Sequence, residues 1–133
     1  MKKLRILLLS IVFVITCIGT ALASPTHFEK VYSSEDLVLE IDMGNISFHK
    51  LDGNTAIEYI SRVTDVKANS MMASKIYVIP DLSKFRILEY SILDLNKKII
   101  TDESTKPSEW SAYKNDSPTT ICVNYIINNY KKK

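Results

Sequence analysis

Apolar side chains recur at every second position along this chain, and the links between those runs are short. Leu37, Leu39, Ile41 and Met43 alternate with Val38, Glu40 and Asp42, the period of a half-buried strand. Gly44-Asn45 interrupts the run, and Ile46 to Lys50 resumes it. Asp52-Gly53-Asn54 is a strong turn signal. Thr55 to Val63 follows, rich in β-branched and aromatic residues, so 46 to 63 reads as a hairpin. A shorter strand fits Phe28 to Tyr32. Asp65 to Ser74 loses the alternation, and Met71-Met72-Ala73 favours a helical turn or loop. Lys75 to Ile79 is a short strand closed by Pro80-Asp81. Lys84 to Leu93 is apolar on both faces, as expected of a central strand covered on both sides. Asp94 to Lys97 turns, and Lys98 to Thr101 forms the last strand. Links this short cannot make parallel crossovers, so the five or six strands must pair antiparallel.

Residues 102 to 116 are polar and irregular and carry Pro107, Trp110 and Tyr113. Ser117-Pro118 then supplies an N-cap and a first-turn proline. Cys122, Val123, Ile126, Ile127 and Tyr130 recur at helical spacing, and Lys131-Lys132-Lys133 suits the negative end of a helix dipole. An amphipathic helix after a meander must bury its stripe, and the sheet offers the surface. The expected fold is α+β: one antiparallel sheet with a C-terminal helix packed on one face.

The N-terminus reads as an address. Lys2, Lys3 and Arg5 precede a run from Ile6 to Ile18 that is almost wholly apolar, and Ala21-Leu22-Ala23 has the small-x-small pattern of a cleavage site. Residues 1–23 are therefore expected to be a cleavable signal peptide, and 24–133 the mature domain, in the periplasm or at the cell surface. The apolar run is short of the ~20 residues a permanent span needs. The alternatives are an uncleaved N-terminal anchor and lipidation at Cys17, although Val14-Ile15-Thr16 matches a lipobox poorly. Without Lys2, Lys3 and Arg5 the 17 basic residues fall to 14 against 15 acidic ones. That near-neutral remainder argues against nucleic acid, which needs a basic face. Only Cys122 stays in the mature chain, so no internal disulfide and no cysteine metal site can form. A lone thiol is either buried or paired with another chain, and the apolar helix face favours burial.

Chemistry is sparse. His49 lies on a predicted strand near Asp52, with no converging partner legible. Ser33-Ser34-Glu35-Asp36 lacks a nucleophile elbow and reads as a polar turn. Glu40, Glu58 and Glu89 fall on strands and read as a solvated face. No phosphate loop, calcium loop, metal or cofactor motif is present. Trp110 and Tyr113 either pin their loop to the sheet or present a ligand surface, with pinning favoured. Lys131, Lys132 and Lys133 suit an acidic lipid or glycan, or form a solvated end.

Several segments together resemble a known family. They are Phe85-Arg86-Ile87-Leu88-Glu89-Tyr90, Asp94-Leu95-Asn96-Lys97-Lys98-Ile99-Ile100, Pro107-Ser108-Glu109-Trp110, and Ser117-Pro118 opening a helix with Cys122. Leu39-Glu40-Ile41-Asp42 followed by Asn45-Ile46-Ser47 adds the upstream half. In order and spacing they resemble the surface-adhesin protein E-like family across nearly all of residues 24–133. The resemblance implies a small exported bacterial domain with about six antiparallel strands, a C-terminal helix on the concave face, and no catalysis. The family name implies adhesion to host molecules such as matrix proteins. The chain departs from the pattern in two ways. The sheet-side cysteine expected near Ile79 to Asp81 is absent, so packing alone must hold the helix. The turn glycine is replaced around Asn96-Lys97, which demands Asn or Lys at positive φ or another turn type.

The expected function is thus a non-catalytic, adhesin-like binding module contacting a protein partner, with host matrix proteins the class that the family name implies. The partner-binding candidates are Trp110, Tyr113, Lys131, Lys132 and Lys133. The alternative is a periplasmic or envelope structural protein, with a homodimer formed through an exposed sheet edge.

Overall fold

The computed structural model describes residues 26–130. The expected signal peptide (residues 1–23), Cys17 and Lys131–Lys133 lie outside them. Eight strands and one helix follow in order. They are β1 (Phe28–Ser33), β2 (Leu37–Asp42), β3 (Ser47–Leu51), β4 (Asn54–Asp65), β5 (Ser70–Ile79), β6 (Lys84–Asp94), β7 (Ile99–Ser104), β8 (Ser111–Ala112) and α1 (Pro118–Asn129). A 3-10 turn, Pro80–Leu82, joins β5 to β6. All pairings are antiparallel, in the order β1-β2-β4-β5-β6-β7. β3 pairs β4 beyond the end of β2, and β8 pairs β6 beyond the end of β7. Eight strands, rather than the expected five or six, therefore occupy six positions across one sheet. The α+β architecture is as the sequence predicts.

The turns carry the expected chemistry. Asp52 (φ 52°) and Gly53 (φ 84°) are both left-handed, as a two-residue hairpin loop matched to strand twist requires. Lys98 (φ 56°) supplies the positive φ that the missing turn glycine leaves to another residue. The Asp94 Oδ1 there accepts from the backbone N–H of Asn96 and Lys97. Ser34 Oγ accepts from the N–H of Asp36 and Leu37, capping the polar turn before β2.

Two segments differ from expectation. Residues 71–74 are strand, because β4 continues to Asp65 and turns back within 66–69. Asp65 Oδ1 caps Ala68, and Asn69 takes φ 54°. A complete ladder from Asp65↔Ser70 to Ile57↔Val78 outweighs the weak β propensity of Met and Ala. β6 is not covered on both sides: it lies next to the edge position and only Ser91 and Leu93 are buried.

Alternation sorts the strands onto two faces. Leu39 and Ile41 of β2, Ile57 and Tyr59 of β4 and Val78 of β5 pack with Cys122, Val123 and Ile126 of α1 to form the core. α1 starts where the sequence places it. Pro118 occupies the first turn, and Ser117 Oγ accepts from the Thr120 N–H. Its stripe is narrower than the spacing implies, since Ile127 is 58% exposed. Tyr125 donates its hydroxyl proton to Glu29, tying α1 to β1. Asp42, fully buried at the end of β2, accepts from the N–H of His27 and Gly44 and from Asn45 Nδ2. These bonds fix both the entry to β1 and the bend between β2 and β3. Among the described residues no helix is long and apolar enough to cross a membrane.

Candidate functional site

The face of the sheet opposite α1 carries the charged side chains of the central strands, together with Tyr77 and Trp110. Register does the assembling. Glu40 stands directly across from Arg62, and Lys75 across from Glu89. Arg62 Nε lies 3.3 Å from Glu40 Oε1, although its N–H is not aligned for a hydrogen bond. The Arg62 guanidinium rests 3.7 Å above the Phe28 ring, a cation–π contact. Lys75 Nζ sits between two carboxylates, 3.7 Å from Glu58 Oε2 and 3.7 Å from Glu89 Oε2. His49 Nε2 lies 3.2 Å from Glu58 Oε1. The side chains of Glu40, Glu58, Arg62, Lys75 and Glu89 are only 23–28% exposed. This corrects the reading of the three glutamates as a solvated face. They are partly desolvated: Glu40 faces Arg62, while Glu58 and Glu89 share Lys75, so three carboxylates meet two permanent cations, with His49 beside Glu58.

An aromatic row borders this array. His49 packs edge-on against Tyr77 at 5.6 Å, and Tyr77 meets Trp110 at 5.9 Å. Arg86 lies over Trp110, 5.2 Å from the ring centroid. The backbone explains why Trp110 is held there. Ser108 N–H donates to the Ile87 carbonyl, Ile87 N–H donates to Ser108 Oγ, and Arg86 Nε donates to the Ser108 carbonyl. Residues 107–110 are thereby laced along β6.

Tyr113 lies on the other face. β8 runs along the edge of β6, pairing Ser111 with Phe85 and Ala112 with Lys84. Beyond it Tyr113 N–H donates to the Ser83 carbonyl. The Tyr113 ring meets Phe85 edge-on at 6.3 Å and joins the helix-side core. Burial raises its hydroxyl pKa. Trp110 and Tyr113 thus clip one loop to both faces of the sheet and do not form a common surface. Trp110 keeps company with Tyr77, Arg86 and His49, none of which composition or local spacing singles out as its partner. The signal was the turn after β4: reading Asp65 and Asn69 as its ends fixes Asp65 opposite Ser70. Counting back then sets Glu58 opposite Tyr77 and Ile60 opposite Lys75.

Ser47 Oγ also lies 3.2 Å from His49 Nε2, the same nitrogen that faces Glu58. A nucleophile relay needs the hydroxyl on one ring nitrogen and the carboxylate on the other. Ser47, His49 and Glu58 therefore do not form one. No group of three or more His, Cys, Asp or Glu able to hold a metal occurs among the described residues. Cys122 is buried, 2% exposed, and free, and burial pushes its thiol up to about 12. Comparison with family models, with curated proteins and with solved structures finds no match.

Proposed function

We propose that the chain is an exported, non-catalytic binding module of adhesin-like type. Its contact surface is the open face of the sheet around Trp110, Tyr77 and Arg86, and its partner is a protein, with host matrix proteins the first class to test. The carrying observation is the Trp110 platform. An indole stacked against a tyrosine and capped by an arginine, anchored by three hydrogen bonds between 86–87 and Ser108, is a rigid amphipathic surface. Trp, Tyr and Arg are the residues that dominate protein interfaces, because they add contact area at low entropy cost. The interleaved charges beside it, three carboxylates with Arg62 and Lys75, supply electrostatic complementarity to a partner. The signal-peptide pattern and the resemblance to the surface-adhesin protein E-like family support the outward placement.

The test is saturable binding of mature protein (residues 24–133) to immobilised matrix proteins and to whole host cells. Trp110→Ala should weaken binding by about 2 kcal/mol, roughly thirtyfold, as a central aromatic anchor does. Tyr113→Ala, on the other face, should change affinity little while lowering stability. Absence of saturable binding to any of these surfaces, or equal binding by Trp110→Ala, would remove the reading.

A further inference from the structure

The two arginines among the described residues, Arg62 and Arg86, are both stacked on an aromatic ring, but only one has an acid. Arg62 faces Glu40 and lies over Phe28. Arg86 lies over Trp110 and donates its Nε–H to the Ser108 carbonyl at 2.9 Å. Those two contacts fix the plane of the Arg86 guanidinium. No carboxylate among the described residues pairs with it, and its two terminal nitrogens have no acceptor there. The side chain is nonetheless half-buried beside Trp110. Lys84 stands on the same side of β6, because the intervening Phe85 turns to the helix face. It is exposed and also unpaired among the described residues. The acids nearest in sequence, Asp81 before β6 and Glu109 beside Trp110, are exposed and pair with neither cation. Across the strand from Arg86 lies Tyr77, and beyond it Glu58 and Glu89 share the single ammonium of Lys75.

We infer that the Trp110 face takes an acidic peptide segment of its partner, an Asp or Glu carboxylate forking onto the terminal nitrogens of Arg86 while the adjacent partner side chain packs on Trp110 and Tyr77. The inference rests on the protein-binding reading and names the chemistry that the partner must present. A guanidinium offers two parallel N–H donors to a carboxylate, and charge-assisted pairs of this kind are about twice as strong as neutral hydrogen bonds. Arg86 is already ordered by Trp110 and Ser108, so little side-chain freedom remains to be lost on binding. A partly desolvated cation without an acid also gains more from a carboxylate than an exposed one does. Lys84 adds a second positive charge that favours the approach of the same acid. The neighbouring charges narrow the occupant further. Glu58 and Glu89 carry more negative charge than Lys75 offsets, so a uniform polyanion such as a sulfated polysaccharide is repelled there. A peptide with an acid for Arg86 and a base for Glu58 and Glu89 complements both parts of the face.

The probes are immobilised short peptides that carry one Asp or Glu beside an aromatic residue, each matched by the same peptide with Asn or Gln in that place. Mature protein should bind the acidic peptides about tenfold or more tightly than their amide counterparts, with the difference shrinking as salt rises. Matrix proteins whose carboxylates have been chemically amidated should lose affinity by about the same factor. Arg86→Gln should abolish the preference for acid over amide, and Arg86→Lys should restore only part of it, because an ammonium lacks the planar fork. Lys84→Gln should weaken acidic peptides only about twofold. The comparison of acid with amide uses the native chain, so it stands even where an Arg86 variant loosens the segment around Ser108. Equal binding of acid and amide forms, or a preference that Arg86→Gln leaves intact, would overturn the inference while Trp110-dependent binding to matrix proteins still upheld the reading beneath it. Displacement of the acidic peptides by heparin acting through Arg86, at lower concentration than any peptide, would also overturn it by assigning the cation to a polyanion. Failure of every peptide and every matrix protein to bind would remove the underlying reading, and the inference with it.

Discussion

Asp42 shows how much one residue settles. Its carboxylate is wholly buried yet spends both oxygens on three donors, two of them backbone N–H groups of the bend and of the chain entering β1. Buried donors left without an acceptor cost about 1–3 kcal/mol each. Asp42→Ala should therefore destabilise by about 3 kcal/mol in urea unfolding. Asp42→Asn should cost less, since it keeps an acceptor for the backbone and loses only the Asn45 contact. Cys122 gives a second test at this scale. Its thiol is raised from 9.0 to about 12 by burial, and the buried Tyr59 hydroxyl, which interacts with it, is raised as well. A raised folded value means that the unfolded chain releases its proton first. Stability is then intact below pH 9 and falls as pH rises from about 9 toward 12, at up to about 1.4 kcal/mol per pH unit per group. Thermal melts of Cys122→Ala should show a shallower alkaline decline than the native chain. The native thiol should resist alkylation at pH 8 until the chain is unfolded.

At the scale of elements, α1 is held by packing, by its caps and by the Tyr125–Glu29 hydrogen bond. Ser117→Ala removes the hydroxyl that accepts from Thr120 and should cost about 1 kcal/mol. Ile126→Ala opens a cavity between helix and sheet and should cost about 2–5 kcal/mol. Both would be read from chemical denaturation, with amide exchange in α1 rising before exchange in β4 and β5. α1 was legible because a cap, a first-turn proline and a helical period coincide. β2, the β3–β4 hairpin and the turn at Asp94 were legible for the same reason: period and turn chemistry agree. The N-terminal half of β5 was not, because Met71-Met72-Ala73 has little strand propensity and its ladder partners lie on β4 and β6. Ile127 misled because helical spacing marks a stripe without saying how wide a strip the sheet will cover. The charged array was illegible for a related reason. Glu58, Lys75 and Glu89 meet only across three strands, and a shift of one residue in register would send each to the other face.

The whole molecule is a sheet with two different sides. One is sealed by α1 around Leu39, Ile41, Ile57, Tyr59 and Val78, and the other displays interleaved charges and the Trp110 platform. A core closed on one face leaves the second free to vary without threatening the fold, which is compatible with the contact role proposed for it. The functional proposal requires that module to work outside the cell, which the signal-peptide pattern at 1–23 allows without choosing between periplasm and surface. Protease shaving of intact cells that express the native protein, with released peptides read by mass spectrometry, tests this most directly. Release of peptides from residues 24–133 while periplasmic controls stay protected is the predicted result. Their appearance only after the envelope is opened would contradict it and place the partner of the Trp110 face inside the periplasm.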